Sequence, residues 1–358
     1  MTTGMEEYLA WGKIIGWSVT GLGVITTVAA LSTSRFSPRK DRTFPIAILV
    51  GIAFVVLLGG LPIPWNTWSD RDIYAMRFLE ITSQSIFDFS GKDTGFYYLN
   101  FMLSRFLDVK GFFFALAALY VGNYLVAVKR CVNGDALWLL AACLLSMGFT
   151  SYGINTMRAG LALSIVVVGL TYYRSWVKMG LLFALALTIH FSTAIPIAMI
   201  VASKLYNSSK LYFILWCLSV VVSFGAGEYF NHLFQGLSDD GRTGYLAGYD
   251  DTYGYKTGFR IDFIIYSFVP MLVGYYYIYK RGFRDTFYSL LFNSYILTNI
   301  FWVLVIRANF SDRFAYLSWF MIPFVLVYPL LADIRVVRRP DVWLGAIFAG
   351  ETIFGLLL

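Results

Sequence analysis

Residues 154–170 read INTMRAGLALSIVVVGL. After a short polar start the run is apolar and long enough to cross a membrane as a helix, yet Arg158 stands within its first turns. A charge at bilayer depth costs roughly 2.5–3.5 kcal/mol on insertion scales, so such a residue faces a protein interior or a water-filled cavity where a partner waits. The whole chain has the same character. Of 358 residues 58% are hydrophobic and 14% charged, and the mean hydropathy is +0.67, whereas a soluble domain carries about 25% charged residues. The composition predicts an all-α, polytopic integral membrane protein with about 11 transmembrane or re-entrant segments, residues 1–358 forming a single membrane-embedded domain.

Apolar runs place helices at 8–31, 44–62, 109–128, 135–152, 154–173, 177–202, 211–227, 261–279, 285–306, 313–331 and 342–358. Two connections, 63–108 and 228–260, are long and rich in Gly, Asp and aromatics, the composition of functional loops rather than linkers. Glu6 and Glu7, not a basic stretch, precede the first run, which reads as a retained helix rather than a signal peptide. Cys131, Cys143 and Cys217 have no paired spacing, so neither a disulfide framework nor a metal site is expected.

Short cytoplasmic loops collect Lys and Arg. SRFSPRKDR (34–42), Lys129 with Arg130, Arg174 with Lys178, KRGFR (280–284) and RVVRR (335–339) therefore mark the inside, which puts both long loops outside. The crossings fail to alternate unless something between 177 and 227 breaks the count. TIHFSTAIP (188–196) is the expected break, a re-entrant pair of half-helices that brings Lys204 and Lys210 inside. The net charge of +7 then reports topology and does not call for nucleic acid.

On that arrangement Arg158, Arg260 and Arg313 stand at the outer N-termini of inward-running helices, and Arg307 faces Arg313 across the turn RANFSDRF (307–314). Unpaired N–H groups and the helix dipole favour anions at such ends, and a guanidinium fork suits phosphate oxygens. Arginines there also snorkel to lipid headgroups or pair with a neighbouring acid such as Asp312. His190 lies in an apolar run beside Ser192 and Thr193, whereas His232 opens an outer loop. Imidazole, with an unperturbed pKa of about 6.5, can accept a hydroxyl proton near neutrality; packing against a backbone carbonyl is the other possibility. In the first loop, WNTWSDRDIYAMRFLE (65–80) offers Asp70, Arg71, Asp72 and Tyr74 as a sugar grip. Its D-x-D also fits a metal–diphosphate site, or simply helix-capping acids. The second loop, SDDGRTGYLAGYDDTYGYKTG (238–258), suits a carbohydrate-binding lid or a plain solvated loop.

The series SDRDIYAMRF (69–78), DTGFYYLN (93–100), NTMRAGLALSI (155–165), KMGLLFALALTIHFSTAIPI (178–197) and DRFAYLSWFMIPFVLVYP (312–329) resembles the EpsG-like branch of the Wzy family, bacterial O-antigen and exopolysaccharide polymerases. Asp70, Tyr74, Gly95, Phe96, Asn155, Arg158, Leu161, Ala162, Lys178, His190, Ser192, Ala194, Arg313 and Tyr316 match its pattern. Asp93-Thr94 stands where Glu-Pro is usual, Ala159 where Gln is usual, and Thr193 separates Ser192 from Ala194. The resemblance implies a glycosyltransferase of the bacterial inner membrane, its active site toward the periplasm. It would join undecaprenyl-diphosphate-linked oligosaccharide repeat units as donor and acceptor in surface polysaccharide (lipopolysaccharide) biosynthesis. No cofactor or metal is implied, and a chain-length regulator protein is a partner. On that basis the catalytic residues are His190 as base with Arg158 and Arg313 on the diphosphate, and inversion follows from direct displacement. Asp70, Asp72, Tyr74, Asp93, Asn155, Arg260, Arg307 and Tyr316 are the substrate-binding expectations. A metal-dependent GT-C glycosyltransferase built on Asp70 and Asp72, a lipid-linked oligosaccharide flippase, and a membrane acyltransferase are the competing classes. Repeat symmetry, a common mark of alternating access, is absent from the sequence.

Overall fold

The computed structural model describes residues 2–33, 43–67, 69–89, 91–132, 134–236, 258–308, 311–333 and 335–357. Every regular element among them is a helix, the outcome that hydrocarbon demands of a chain whose backbone groups must pair within one segment. Among the described residues six helices are long and apolar enough to span, at 4–32, 109–131, 261–280, 286–304, 311–332 and 340–357. Shorter apolar helices at 44–59, 157–171, 176–189, 191–205 and 209–225 accompany them. Large apolar side chains such as Trp17, Ile25, Leu49, Val177, Leu181 and Val221 face outward. Buried positions, by contrast, include Asp72, Asn100, Asn293, Ser294, Thr298 and Asn299. The protein is a polytopic membrane protein.

The chain forms two compact units, one of Met1–Ala194 with Val327–Leu358 and the other Ile195–Leu326. In the first, α1 (Thr2–Ser32) lies along the last helix, Pro340–Leu357, and α2 (Phe44–Gly59) along α5 (Val109–Cys131). Helix α5 also packs on α8 (Met157–Thr171), and α8 on α9 (Trp176–Ile189). Starts are capped by the residues that propensity favours: Asp108 accepts from the Gly111 N–H at 2.7 Å, and the Ser175 side chain from that of Lys178 at 3.4 Å.

Three expectations change. The stretch 63–108 is not an unstructured loop but holds α3 (Asp70–Thr82) and α4 (Thr94–Leu103). Ser69 caps α3, its side chain accepting from the Asp72 N–H, and Asp70 and Asp72 sit in the first turn where the dipole favours them. The expected helix 135–152 is two, α6 (Ala136–Leu145) and α7 (Met147–Ile154), bent by 71° at Ser146. Ser146 takes extended angles there while its hydroxyl donates to the Cys143 carbonyl. The helix containing Arg158 starts at Met157, after a turn at Asn155–Thr156. The interruption expected in 177–202 is present. Helix α9 ends at Ile189, His190 is extended (φ −156°, ψ 117°), Phe191–Thr193 form a 3₁₀ turn, and α10 (Ala194–Leu205) follows. Pro196 falls in the first turn of α10, where a missing N–H is harmless. The second long connection is shortened by α11, which runs Ser209–Gly236; most of the rest of it, including Asp239, Asp240 and Tyr245, lies outside the described residues.

The second unit is held by buried polar contacts. Trp216 of α11 donates to Asn299 Oδ1 at 2.7 Å, and the Asn299 side-chain amide N–H groups donate to the hydroxyls of Ser267 and Ser318 at 3.1 and 3.0 Å. Trp319 donates to the same Ser267 hydroxyl at 2.8 Å. Four helices thus share one network where lipid offers no hydrophobic drive between apolar faces: α11, α12 (Ile261–Tyr275), α13 (Thr286–Leu304) and α14 (Ser311–Trp319).

Arg71 ties α3 to α2. It is 2% exposed, donates to the Leu58 and Gly59 carbonyls at 3.2 and 2.8 Å, and lies 3.8 Å over the Phe113 ring. Those carbonyls end α2 and have no partner within it, and a cation suits that end of the dipole. Burial pulls the guanidinium pKa down to about 10, so it stays charged at neutral pH. Arg71→Met should lower the stability of the purified protein by about 1–3 kcal/mol, because two buried acceptors lose their donor. The drop is read as a lower thermal midpoint in detergent, only partly recovered by Arg71→Lys. An unchanged midpoint would remove the anchoring role.

Candidate functional site

Asp93 is the N-cap of α4 and adopts a left-handed conformation (φ 55°, ψ 36°), a region Asp tolerates better than most side chains. Its carboxylate has 0% side-chain exposure. A buried charge is tolerable only when paired and fully hydrogen-bonded. Three donors meet that need: Arg158 Nη1 reaches Oδ2 at 3.0 Å, His190 Nδ1 reaches Oδ2 at 3.1 Å, and the Phe191 backbone N–H reaches Oδ1 at 3.1 Å. Burial alone would raise the pKa. The hydrogen bonds from His190 and the Phe191 N–H, with the charge of Arg158, outweigh it and hold the carboxyl well below the usual carboxylate range.

Each donor is available for a local reason. The break at His190 takes the Phe191 N–H out of the helical ladder, and Thr193 satisfies the His190 carbonyl with both its hydroxyl and its N–H. Arg158 is the second residue of α8, and its backbone N–H, an orphan of the first turn, meets the Tyr74 hydroxyl at 3.4 Å. Two glycines permit the close approaches. A Cβ on Gly95 would lie 2.3 Å from Thr188 Oγ1, so α4 reaches α9 only because that atom is missing. A Cβ on Gly160 would lie 2.5 Å from the Tyr152 carbonyl oxygen, across the α7–α8 turn.

The chemistry of the pair follows. An ionised carboxylate has no proton to give, so Nδ1–H of His190 is the donor, and in neutral imidazole Nε2 is then the bare acceptor. The His190 side chain is 18% exposed, and its one polar side-chain contact among the described residues is Asp93. Arg158, 22% exposed, uses Nη1 for Asp93 and for the Tyr97 hydroxyl at 3.1 Å. Its Nε is buried without a partner. Tyr74, Phe96 and Tyr97 ring the guanidinium with centroids 5.9–6.0 Å away. A base, a cation with unspent donors and a carboxylate that orients both are therefore in one place, partly open and walled by aromatic rings.

The first unit thus brings together Arg158, His190, Asp93 and Tyr74. Asn155 is exposed in the turn just before Arg158. Asp70 is half-buried at the start of α3, while Asp72 is 1% exposed and accepts from the Thr67 N–H at 3.0 Å. Two residues apart on a helix, Asp70 and Asp72 point to different faces and form no shared metal grip. Arg71, anchored in α2, is not a sugar contact. The other expected residues belong to the second unit. Arg260 is paired with Asp262, Nη2 to Oδ2 at 2.6 Å, and stacks 3.6 Å over Phe263. Arg307 donates to the Phe224 carbonyl at 3.1 Å beside Gly227. Arg313 is half-buried in the first turn of α14 next to Asp312, and Tyr316, 7% exposed, packs on Trp319 at 5.4 Å.

Tyr97 and Arg77 are the site residues that sequence reasoning missed. Tyr97 directly follows the Gly95-Phe96 pair and lies one turn beyond Asp93, a spacing that would have found it once α4 was known to be a helix. No curated protein and no solved structure matches the chain. A model of the EpsG family, a Wzy-like polymerase family, matches residues 47–349 and so takes in every residue of this site; the chain belongs to the EpsG family.

Proposed function

We propose that the protein polymerises a surface polysaccharide by glycosyl transfer between undecaprenyl-diphosphate-linked repeat units, on the periplasmic face of the bacterial inner membrane. Family membership supports the polymerase class. The observation that carries the chemistry is the single buried carboxylate of Asp93 shared by Arg158 and His190. In this reading an acceptor hydroxyl attacks the anomeric carbon of the donor. The new C–O bond forms as the bond from that carbon to the diphosphate oxygen breaks. The hydroxyl proton goes to Nε2 of His190, and the electron pair leaves on the diphosphate. Arg158 neutralises that developing charge. Displacement from the opposite face inverts the anomeric configuration. Asp93 keeps the imidazole in the accepting tautomer and stands behind the substrate rather than against it. Arg313, with Arg260, Arg307 and Tyr316, remains a proposed contact for the lipid-linked substrates, as are Asp70, Asp72, Tyr74 and Asn155. No step here calls on a metal, so activity should survive EDTA.

The direct test incubates purified protein with a defined lipid-linked repeat unit in EDTA and separates products by length. Glycan lengthening supports polymerisation. Transport across a vesicle membrane without lengthening would support a flippase instead.

Arg158→Lys should lower polymer formation by about 10- to 100-fold, nearly as much as Arg158→Ala, because a point charge cannot reproduce the guanidinium fork. Near-normal product from a folded lysine variant would reduce Arg158 to a source of charge.

His190→Ala should lose about 10²–10⁴-fold in rate while donor binding persists, since a base acts only on the incoming hydroxyl. The folded pKa of Asp93 is depressed, so its ionised form stabilises the site above the ordinary carboxylate value of about 3.9, and that contribution fades as pH falls through the lower folded value. His190→Gln, which keeps a polar side chain but cannot take the proton, should lose about as much rate as His190→Ala. Near-normal product from a folded glutamine variant would place the base elsewhere.

A further inference from the structure

Arg77 lies one turn beyond Tyr74 on α3, exposed, and its Nη1 donates to the Tyr97 hydroxyl at 2.9 Å. Arg158 Nη1 donates to the same oxygen at 3.1 Å. Two guanidinium nitrogens thus converge on one phenol and lie no more than about 6 Å apart. A phenol oxygen has two acceptor positions, and both are filled, so its own proton is left to point at a third group.

The local charge is out of balance. Arg158 shares one carboxylate with an imidazole and a backbone N–H, and Arg77 has no carboxylate partner among the described residues. Two cations this close repel one another and are stabilised by an anion that enters between them. Arg158 keeps a buried, unpartnered Nε. The rings of Tyr74, Phe96 and Tyr97 thin the water around it, which strengthens its field toward the open side.

We infer that Arg77 and Arg158 form a two-guanidinium clamp for a diphosphate, with Tyr97 as the shared spacer whose hydroxyl donates to a phosphoryl oxygen. This rests on the polymerase reading, which supplies a diphosphate at Arg158, and adds the residue that takes its second phosphoryl group. Arg158 meets the phosphoryl group next to the reacting carbon; Arg77, at the exposed edge, holds the other. The clamp makes the site selective for two linked phosphates over one.

The test titrates the full-length protein, in phosphatidylcholine nanodiscs free of anionic lipid, with inorganic pyrophosphate and separately with orthophosphate by calorimetry. The wild type should bind pyrophosphate about 10-fold or more tighter than orthophosphate, the scale of one added charge-assisted contact. Arg77→Gln should erase that preference by weakening pyrophosphate alone, while orthophosphate affinity stays within about threefold. Because the Arg77 side chain hydrogen-bonds only to Tyr97 among the described residues, the variant's thermal midpoint should not move. Tyr97→Phe, which keeps the ring and removes the spacer oxygen, should also lose the preference. If Arg77→Gln keeps wild-type pyrophosphate affinity while Arg158→Gln loses it, the clamp is overturned and the diphosphate role of Arg158 stands. If the wild type binds no pyrophosphate, or Arg158→Gln is without effect, the anion reading of the whole site fails.

Discussion

A carboxylate that water cannot reach must be answered entirely by protein, and in the first unit that condition organises everything around it. Asp93 draws its three donors from positions far along the chain, with sequence separations of 65, 97 and 98 residues. Leaving such a charge unpaired would cost several kcal/mol. The helix break at His190, the start of α8 one residue before Arg158, and the missing Cβ of Gly95 are conditions for the same ion cluster. Arg71 belongs to this set at one remove, since it fixes the end of α2 against the helix that carries Tyr74.

That dependence separates two kinds of polar burial. In the first unit Asp93, Arg158 and His190 meet at a partly open place, and Arg158 Nε is left without a partner there. In the second, Trp216, Asn299, Ser267, Ser318 and Trp319 largely satisfy one another. The first arrangement leaves room for a ligand, and the second is glue between helices.

Much of the fold could be read from the sequence because hydrocarbon imposes so simple a rule: apolar runs of span length become helices, and their interruption at His190 was written in Ser192, Thr193 and Pro196. What escaped were elements without that signal. Helices α3 and α4 are short and mixed in polarity, and their composition resembles a loop; only the Ser69 cap with acids after it announced the first of them. The kink at Ser146 left an apolar run intact and so left no trace in hydropathy. At the site, intramembrane charge identified Arg158 and the lone histidine of an apolar run identified His190. Their partner could not be inferred. Asp93 reads as one more loop acid until α4 and α9 are placed side by side, and Arg77 is one of many exposed arginines until its hydrogen bond to Tyr97 is seen.

The left-handed backbone at Asp93 narrows what evolution can do there. Position 93 must satisfy two demands that most side chains meet only one at a time: a positive φ, which Gly, Asn and Asp accept, and a full negative charge, which only Asp and Glu carry. Asparagine keeps the turn and forfeits the charge, glutamate the reverse. Aspartate is the one residue in both sets. A lineage that uses glutamate at this place must therefore also re-route its backbone, and the proline that follows glutamate elsewhere in the pattern, in place of Thr94 here, restricts the preceding residue in that direction. The Asp-Thr pair suits the left-handed turn found here, and a Glu-Pro pair would suit an extended one.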